Sequence, residues 1–341
     1  MPARGSPVVG RGGDRRWIVP AAILVFIQYA AAIVITHAVR FTGRPPTLKY
    51  MMIALVISLV GGSIIALPKV WRFWREGESS PVARLVRESD LGAVASYLIG
   101  FQVFALQMGA LTWLKEMLPV IVPFWADPPL AAVDRAILGT DAWRLIPELL
   151  IHPLDVVYVT WAPVTTIAIN LILCLKPSEA KTRAILAYFL TVGLMGVCGQ
   201  YLLSSAGPVF YDRLFASHQF ADLLTRIDAH APVVDRTVHY LWASYMDHVD
   251  QLGIGISAMP SLHVAVAAWF ALAIPAFWPR LRVPAWGFWL VIFVGSFALG
   301  WHYFVDGVAG TLGAVGCWRL PGRRRSADEV TIAVNQVAAA A

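Results

Sequence analysis

A chain of 341 residues with 58% hydrophobic and only 14% charged residues carries little more than half the charge of a soluble domain, for which roughly 25% is usual. Its mean hydropathy is +0.65, and the apolar residues gather into runs of about 20, each long enough to cross a hydrocarbon core of roughly 30 Å as a helix. This excludes a soluble globular protein. The formal charge of +6 does not signal a nucleic-acid partner either, because most basic residues sit in short loops between the apolar runs.

The first run, Trp17 to Thr36, follows Arg4, Arg11, Arg15 and Arg16. It is longer than a signal-peptide core and lacks a clear cleavage site, so it reads as an uncleaved first helix. Spans are predicted at 17–37, 48–67, 92–113, 155–175, 184–206, 259–279, 284–301 and 303–320, which gives an all-α integral membrane protein of about eight transmembrane helices. With the N-terminus cytoplasmic, 18 of the 27 Lys and Arg residues fall on that side and 9 on the other. That bias sets both termini in the cytoplasm. Trp71-Arg72-Phe73-Trp74-Arg75 reads as an anchor at headgroup depth.

Residues 114–154, too polar to span and too apolar to be disordered, predict an interfacial or re-entrant cap; Asp134 and Arg135 are expected to make an ion pair there rather than touch substrate. Residues 207–258 read as a long external loop, and long loops in compact bundles are functional or disordered. Its histidines, His218, His230, His239 and His248, have spacings of 12, 9 and 9 that match no metal-ligand pattern, so they are expected to be solvated. Cys174, Cys198 and Cys317 lie inside apolar runs and read as small buried hydrophobes, with no disulfide or metal framework. Residues 321–341 read as a disordered cytoplasmic tail.

The chemistry gathers between Ser205 and Gly310. SAMPSLH (257–263) opens the sixth span. Pro260 suits a first helical turn, which puts Ser261 and His263 near the helix start. GWHYFVDG (300–307) closes the seventh span and brings His302 to the same, extracytoplasmic side. His302 and Asp306 are four apart, so on a helix they share a face. An aspartate on one ring nitrogen fixes the tautomer and frees the other as base or nucleophile, and a second histidine can act as general acid. A helix N-terminus suits phosphate, and Arg213, just beyond Gly207-Pro208, is placed to clamp its oxygens. The set makes a phosphoryl-transfer site with no metal and no cofactor.

AMPSLH (258–263) and HYFVDGVAG (302–310) resemble the second and third signature motifs of the type 2 phosphatidic acid phosphatase superfamily. Met-Pro-Ser-Leu-His together with Trp-His-Tyr-Phe-Val-Asp is most similar to the branch containing fungal inositol phosphorylceramide synthases. FWADPPLAAVDRAILGTDAW (124–143) resembles the region before the core in that branch. The resemblance covers about residues 120–315. It implies a six-helix catalytic core over 92–320, including the cap 114–154 and the external loop 207–258, preceded by a two-helix membrane addition and cytoplasmic loop over 1–91. It also implies that His302 is the nucleophile, that Asp306 orients it, and that His263 protonates the leaving group.

The chain departs from the superfamily at two places. Gly295 and Ser296 stand seven and six residues before His302, where Ser-Arg is usual, and the Lys-x6-Arg-Pro first motif is not found. SSAGPVFYDR (204–213) occupies the matching place, with Arg213 as the substitute clamp; Ser261, Tyr303 and Pro208 are expected to join it in binding substrate. These losses, together with the branch resemblance, imply a phosphotransferase that moves a phosphoryl or phosphoinositol-like headgroup between phospholipids or sphingolipids. Two alternatives stay open: a lipid phosphate phosphatase, and a non-enzymatic lipid-binding or transport protein. Transporters carry paired broken helices near the midplane, whereas here the ionisable set gathers at one surface. Short loops and the absence of eukaryotic sorting signals suggest a bacterial inner membrane.

Overall fold

The computed structural model describes residues 13–247 and 252–321, and every regular element among them is helical. Two long apolar helices, α1 (Arg15–Val39) and α2 (Thr47–Arg75), lead through the short polar α3 (Pro81–Glu88) to α4 (Leu91–Ile121). Asp90 starts α4 by accepting the Gly92 and Ala93 N–H groups, which satisfies two of the orphan donors at a helix start. α4 runs well past the predicted end at 113, because Leu114, Met117 and Leu118 stay buried and no breaker precedes Pro119. The predicted cap loses its first two turns to this helix.

What remains of the cap is α5 (Asp127–Leu138) and two 3₁₀ turns. The fourth predicted span is split into α6 (Ile151–Tyr158) and α7 (Trp161–Cys174). Pro163 has no N–H to offer the Val159 carbonyl four residues back, so the helix breaks there. α8 (Glu179–Gly193) passes through a π-helical stretch (Leu194–Gly199) into a last turn, α9 (Gln200–Leu202). The predicted external loop folds as three helices, α10 (Pro208–Phe215), α11 (Ala221–His230) and α12 (Pro232–Asp247). α13 (Leu262–Phe277), α14 (Arg282–Ala298) and α15 (304–321) complete the chain.

Among the described residues six helical stretches are long and apolar enough to cross a membrane: α1, α2, α4, Glu148–Cys174, Glu179–Leu202 and Pro279–Ala298. The shorter apolar α13 and α15 occupy the other two predicted positions. The chain is an all-helical integral membrane protein. Trp17, Ala21 and Val25 of α1 and Ala54 of α2 share one core with Phe101 and Phe104 of α4, Ile172 of α7, Phe189 of α8 and Trp269 of α13. The N-terminal pair is thus packed into the same bundle as the helices that follow. Between lipid-facing helices this cohesion comes from close packing and buried hydrogen bonds rather than water exclusion. Gln28 and Gln107 exchange two such bonds, at 3.2 and 2.9 Å. Lys181 Nζ, also buried, donates to Asp14 Oδ2 and to the Leu173 and Leu175 carbonyls, each at 2.9 Å.

Cys317 is buried, but Cys174 and Cys198 are exposed, because an apolar run turns one face to lipid as readily as to the core. Trp71 and Trp74 are exposed and Phe73 is buried.

Candidate active site

His302 lies in the turn between α14 and α15, not on a helix face shared with Asp306. Its backbone N–H donates to the Ser296 carbonyl at 3.0 Å, and its ring is buried. Ring Nδ1 is 3.0 Å from the Ala258 carbonyl oxygen and 3.6 Å from Asp306 Oδ2. A carbonyl can only accept, so Nδ1 carries the proton and Nε2 keeps its lone pair. Asp306 Oδ2 accepts the Tyr303 N–H at 2.9 Å. The expected direct bond between Asp306 and the histidine is therefore replaced by a backbone carbonyl, with the carboxylate one step behind it.

His263, the second residue of α13, meets the free nitrogen: its Nδ1 is 3.3 Å from His302 Nε2. Trp161 and Tyr158, at the break between α6 and α7, pack edge-on against the His263 ring with centroids at 4.6 and 5.7 Å. The Ser261 N–H donates to the Asp306 carbonyl. Gly310 permits this approach of α15, since a Cβ there would strike the Ser261 carbonyl. Pro260, expected inside the first turn, precedes the helix, because Ser261 is its cap and accepts the Val264 N–H at 3.3 Å.

Three buried aspartates fix the surrounding chain, each accepting two consecutive backbone N–H groups. Asp127 takes those of Ala206 and Gly207, both at 2.8 Å, and the Tyr303 hydroxyl at 3.0 Å. Asp134 takes those of Phe304 and Val305, at 2.6 and 3.1 Å, and so starts α15. Asp155 takes those of Val233 and Val234, at 3.0 and 2.8 Å, and starts α12. Burial raises Asp127 to about 6, against the opposing pull of its backbone and Tyr303 hydrogen bonds. Burial likewise raises Asp134. Asp134 has no ion pair with its neighbour Arg135, which instead holds Asp141 through two bonds of 2.6 and 3.0 Å. Adjacent residues on a helix point to different faces.

The histidines line a cavity of about 220 Å³ together with Lys115, Tyr158, Trp161, Phe210 and Trp301, roofed by Val233, Thr237 and Leu241 of α12. Lys115 projects from the part of α4 that the predicted span left out. Gly255, at φ +100°, crosses directly beside it, and a Cβ there would come within 2.6 Å of the Lys115 Cβ. The sequence signal was a Lys-Glu pair two turns inside an apolar helix, where ionisable groups are costly and usually functional.

The predicted substrate-binding residues lie elsewhere. Arg213 is exposed and stacks over the Trp242 ring at 5.3 Å, because the inner face of α10 is taken by Val209 and Phe210. Ser261 turns its hydroxyl to its own helix. Pro208 and Tyr303 meet His302 only at a separate void of about 10 Å³, room for about one water. Of the external histidines, His230 pairs with Glu148 at 2.5 Å and His239 Nδ1 approaches the Asp235 carbonyl; His218 is exposed, and His248 lies outside the described residues. Among the described residues no group of three or more His, Cys, Asp or Glu is placed to hold a metal ion.

The profile of the PAP2 superfamily matches residues 137–320, more than half of the chain, and the chain belongs to that superfamily. No curated protein matches the chain, and no solved structure does. Membership supports a bilayer-embedded lipid enzyme of phosphatase or phosphotransferase type. Lys115, Asp127 and Asp134 all lie ahead of the matched region.

Proposed function

We propose that the protein is a lipid phosphotransferase working through a phosphohistidine, and that its core, residues 92–320, carries the reaction at the extracytoplasmic face. The observation that carries this reading is the pair of facing ring nitrogens, His263 Nδ1 and His302 Nε2, 3.3 Å apart in a roofed cavity that Lys115 shares. A phosphoryl group that displaces this contact and parts the two rings meets a nucleophile on one side and a proton donor on the other. His302 Nε2 attacks phosphorus, the bond to the leaving oxygen breaks, and His263 delivers the proton to that oxygen. Asp306 stabilises the positive imidazole as the bond forms. The Lys115 ammonium offsets the charge on the phosphoryl oxygens, the role expected of Arg213.

In the second half, an acceptor hydroxyl gives its proton to His263, its oxygen attacks phosphorus, and the phosphorus–nitrogen bond breaks to restore neutral His302. The mainly apolar walls, with Tyr158, Trp161, Phe210 and Trp301, offer water few polar partners beside the intermediate, which supports transfer over hydrolysis. The motif resemblance supports a phospholipid or sphingolipid donor and a phosphoinositol-like headgroup; the asymmetry of Lys and Arg supports cytoplasmic termini.

The test is product analysis with purified protein in micelles and phosphorus-labelled phospholipid, with and without a lipid alcohol acceptor, beside His302→Ala. A labelled lipid product that needs both acceptor and His302 is expected. Free phosphate alone, again lost in the variant, would make the protein a phosphatase.

A further inference from the structure

Four residues that carry a hydroxyl line the cavity of the two histidines: Tyr158, Thr237, Tyr240 and Ser257. Two of these hydroxyls are spent on the main chain. Thr237 Oγ1 donates to the Val233 carbonyl at 2.7 Å, and the Tyr240 hydroxyl donates to the Leu252 carbonyl at 2.8 Å. The other two, the Tyr158 hydroxyl and Ser257 Oγ, are buried and have no hydrogen-bond partner among the described residues. A buried hydroxyl without a partner is costly, and native structures keep few of them. Two in the lining of one cavity, beside a facing pair of histidines, point to a common ligand.

Both residues are held in place by their surroundings rather than by their own hydroxyls. Tyr158 ends α6, and only 4% of it is exposed. Its ring lies edge-on to the His263 ring, with centroids 5.7 Å apart. Gly295 admits it, since a Cβ there would come within 2.8 Å of Tyr158 Cδ2. Gly295 stands where a serine is usual in the superfamily, and its neighbour Ser296 spends its hydroxyl on the Phe293 carbonyl at 2.7 Å. Ser257 precedes Ala258, whose N–H donates to the Ser205 carbonyl at 2.8 Å and whose own carbonyl meets His302 Nδ1 at 3.0 Å. Tyr158 thus stands beside the proton donor, and Ser257 is joined to the residue that sets the tautomer of the nucleophile.

We infer that the Tyr158 and Ser257 hydroxyls bind the phosphoryl oxygens of the donor lipid, as neutral partners of the Lys115 ammonium. The inference rests on the phosphohistidine reading above and names two further residues that touch the substrate in it. Ionised phosphoryl oxygens are strong acceptors, so each hydroxyl donates and keeps its proton. A phosphoryl group that parts the two rings gives both orphans a partner at once. Their bonds to it strengthen as negative charge builds on its oxygens. Hydroxyls engaged in this way are withdrawn from water, which agrees with transfer over hydrolysis.

The experiment compares Tyr158→Phe and Ser257→Ala with the unaltered protein in micelles, using phosphorus-labelled phospholipid and, as a phosphate analogue, orthovanadate. Each variant should lower kcat by about 10²-fold, the usual cost of losing one such donor. Each should also weaken inhibition by orthovanadate about tenfold, the worth of one hydrogen bond. The unfolding midpoint should stay level or rise, because a buried hydroxyl without a partner is removed. Gly295→Ala keeps both hydroxyls but displaces the Tyr158 ring, and it should lower kcat as well. Unchanged kcat and unchanged inhibition in a variant would overturn the assignment for that residue. A fall in unfolding midpoint in step with kcat would overturn it too, since the hydroxyl would then be holding the resting fold. Turnover that does not need His302 would instead overturn the phosphohistidine reading beneath it.

Discussion

The Ala258 carbonyl stands 3.0 Å from His302 Nδ1, whereas the nearer oxygen of Asp306 stands at 3.6 Å. The tautomer of the candidate nucleophile is thus set by the main chain just ahead of α13, and the carboxylate is left to stabilise charge. Where an aspartate alone fixes a catalytic histidine, its loss costs about 10⁴-fold because the wrong tautomer forms. Here Asp306→Asn should lower turnover by only about 10- to 100-fold, since the carbonyl still holds Nδ1–H. His302→Ala should abolish it. Initial rates, with acid-labile phosphohistidine trapped in parallel, distinguish the two variants.

Lys115 and Arg213 are the two cations offered for the phosphate, one from the structure and one from the sequence. Lys115 lines the histidine cavity, and Arg213 lies exposed over Trp242. Lys115→Met should lower kcat/KM by about 10²-fold or more, the usual cost of removing a charge-stabilising donor. Arg213→Met should change it less than about threefold, in keeping with an exposed contact. Equal losses in both would return the clamp to α10.

Gly255 has a positive φ and passes against Lys115. An alanine there would face both a strained backbone, worth about 1–3 kcal/mol, and a collision with the lysine stem. Gly255→Ala should therefore lower the unfolding midpoint in detergent and also raise the donor KM, as Lys115 is pushed aside. A fall in stability with unchanged KM would show that Gly255 serves only packing.

Asp127, raised to about 6 from an ordinary 3.8, gives an unusual pH dependence. Between those values the folded chain keeps a proton that the unfolded chain releases, so this contribution is full at the acid end and falls as pH rises through the window. Linkage sets its size at about 3 kcal/mol. The unfolding midpoint should decline from pH 4 to pH 6, and Asp127→Asn, with nothing to titrate, should lose that part of the slope. A slope identical in both proteins would remove Asp127 as its source.

Much of this protein was legible in one dimension. Among the described residues six of the eight apolar windows fall on helical stretches long and apolar enough to span, and the other two on shorter helices, because a bilayer leaves a spanning backbone no choice but to satisfy its own hydrogen bonds. Local periodicity and length carry that information. The motif histidines, 39 residues apart, stand out in the sequence because their neighbours Met259-Pro260-Ser261 and Tyr303-Phe304-Val305-Asp306 are short contiguous strings. What the tertiary structure decided was which groups come to meet them. Ala258 supplies a carbonyl, which every residue possesses and no side chain advertises. Lys115 reaches the cavity because α4 does not stop where hydropathy fades at 113. Arg213 misses it because the inner face of a short helix belongs to Val209 and Phe210. Asp127, Asp134 and Asp155 bond to chain between 78 and 171 residues away, pairings that no local pattern encodes. A residue's chemistry belongs to its sequence, but the direction its side chain faces depends on helix length and on the partner packed against it.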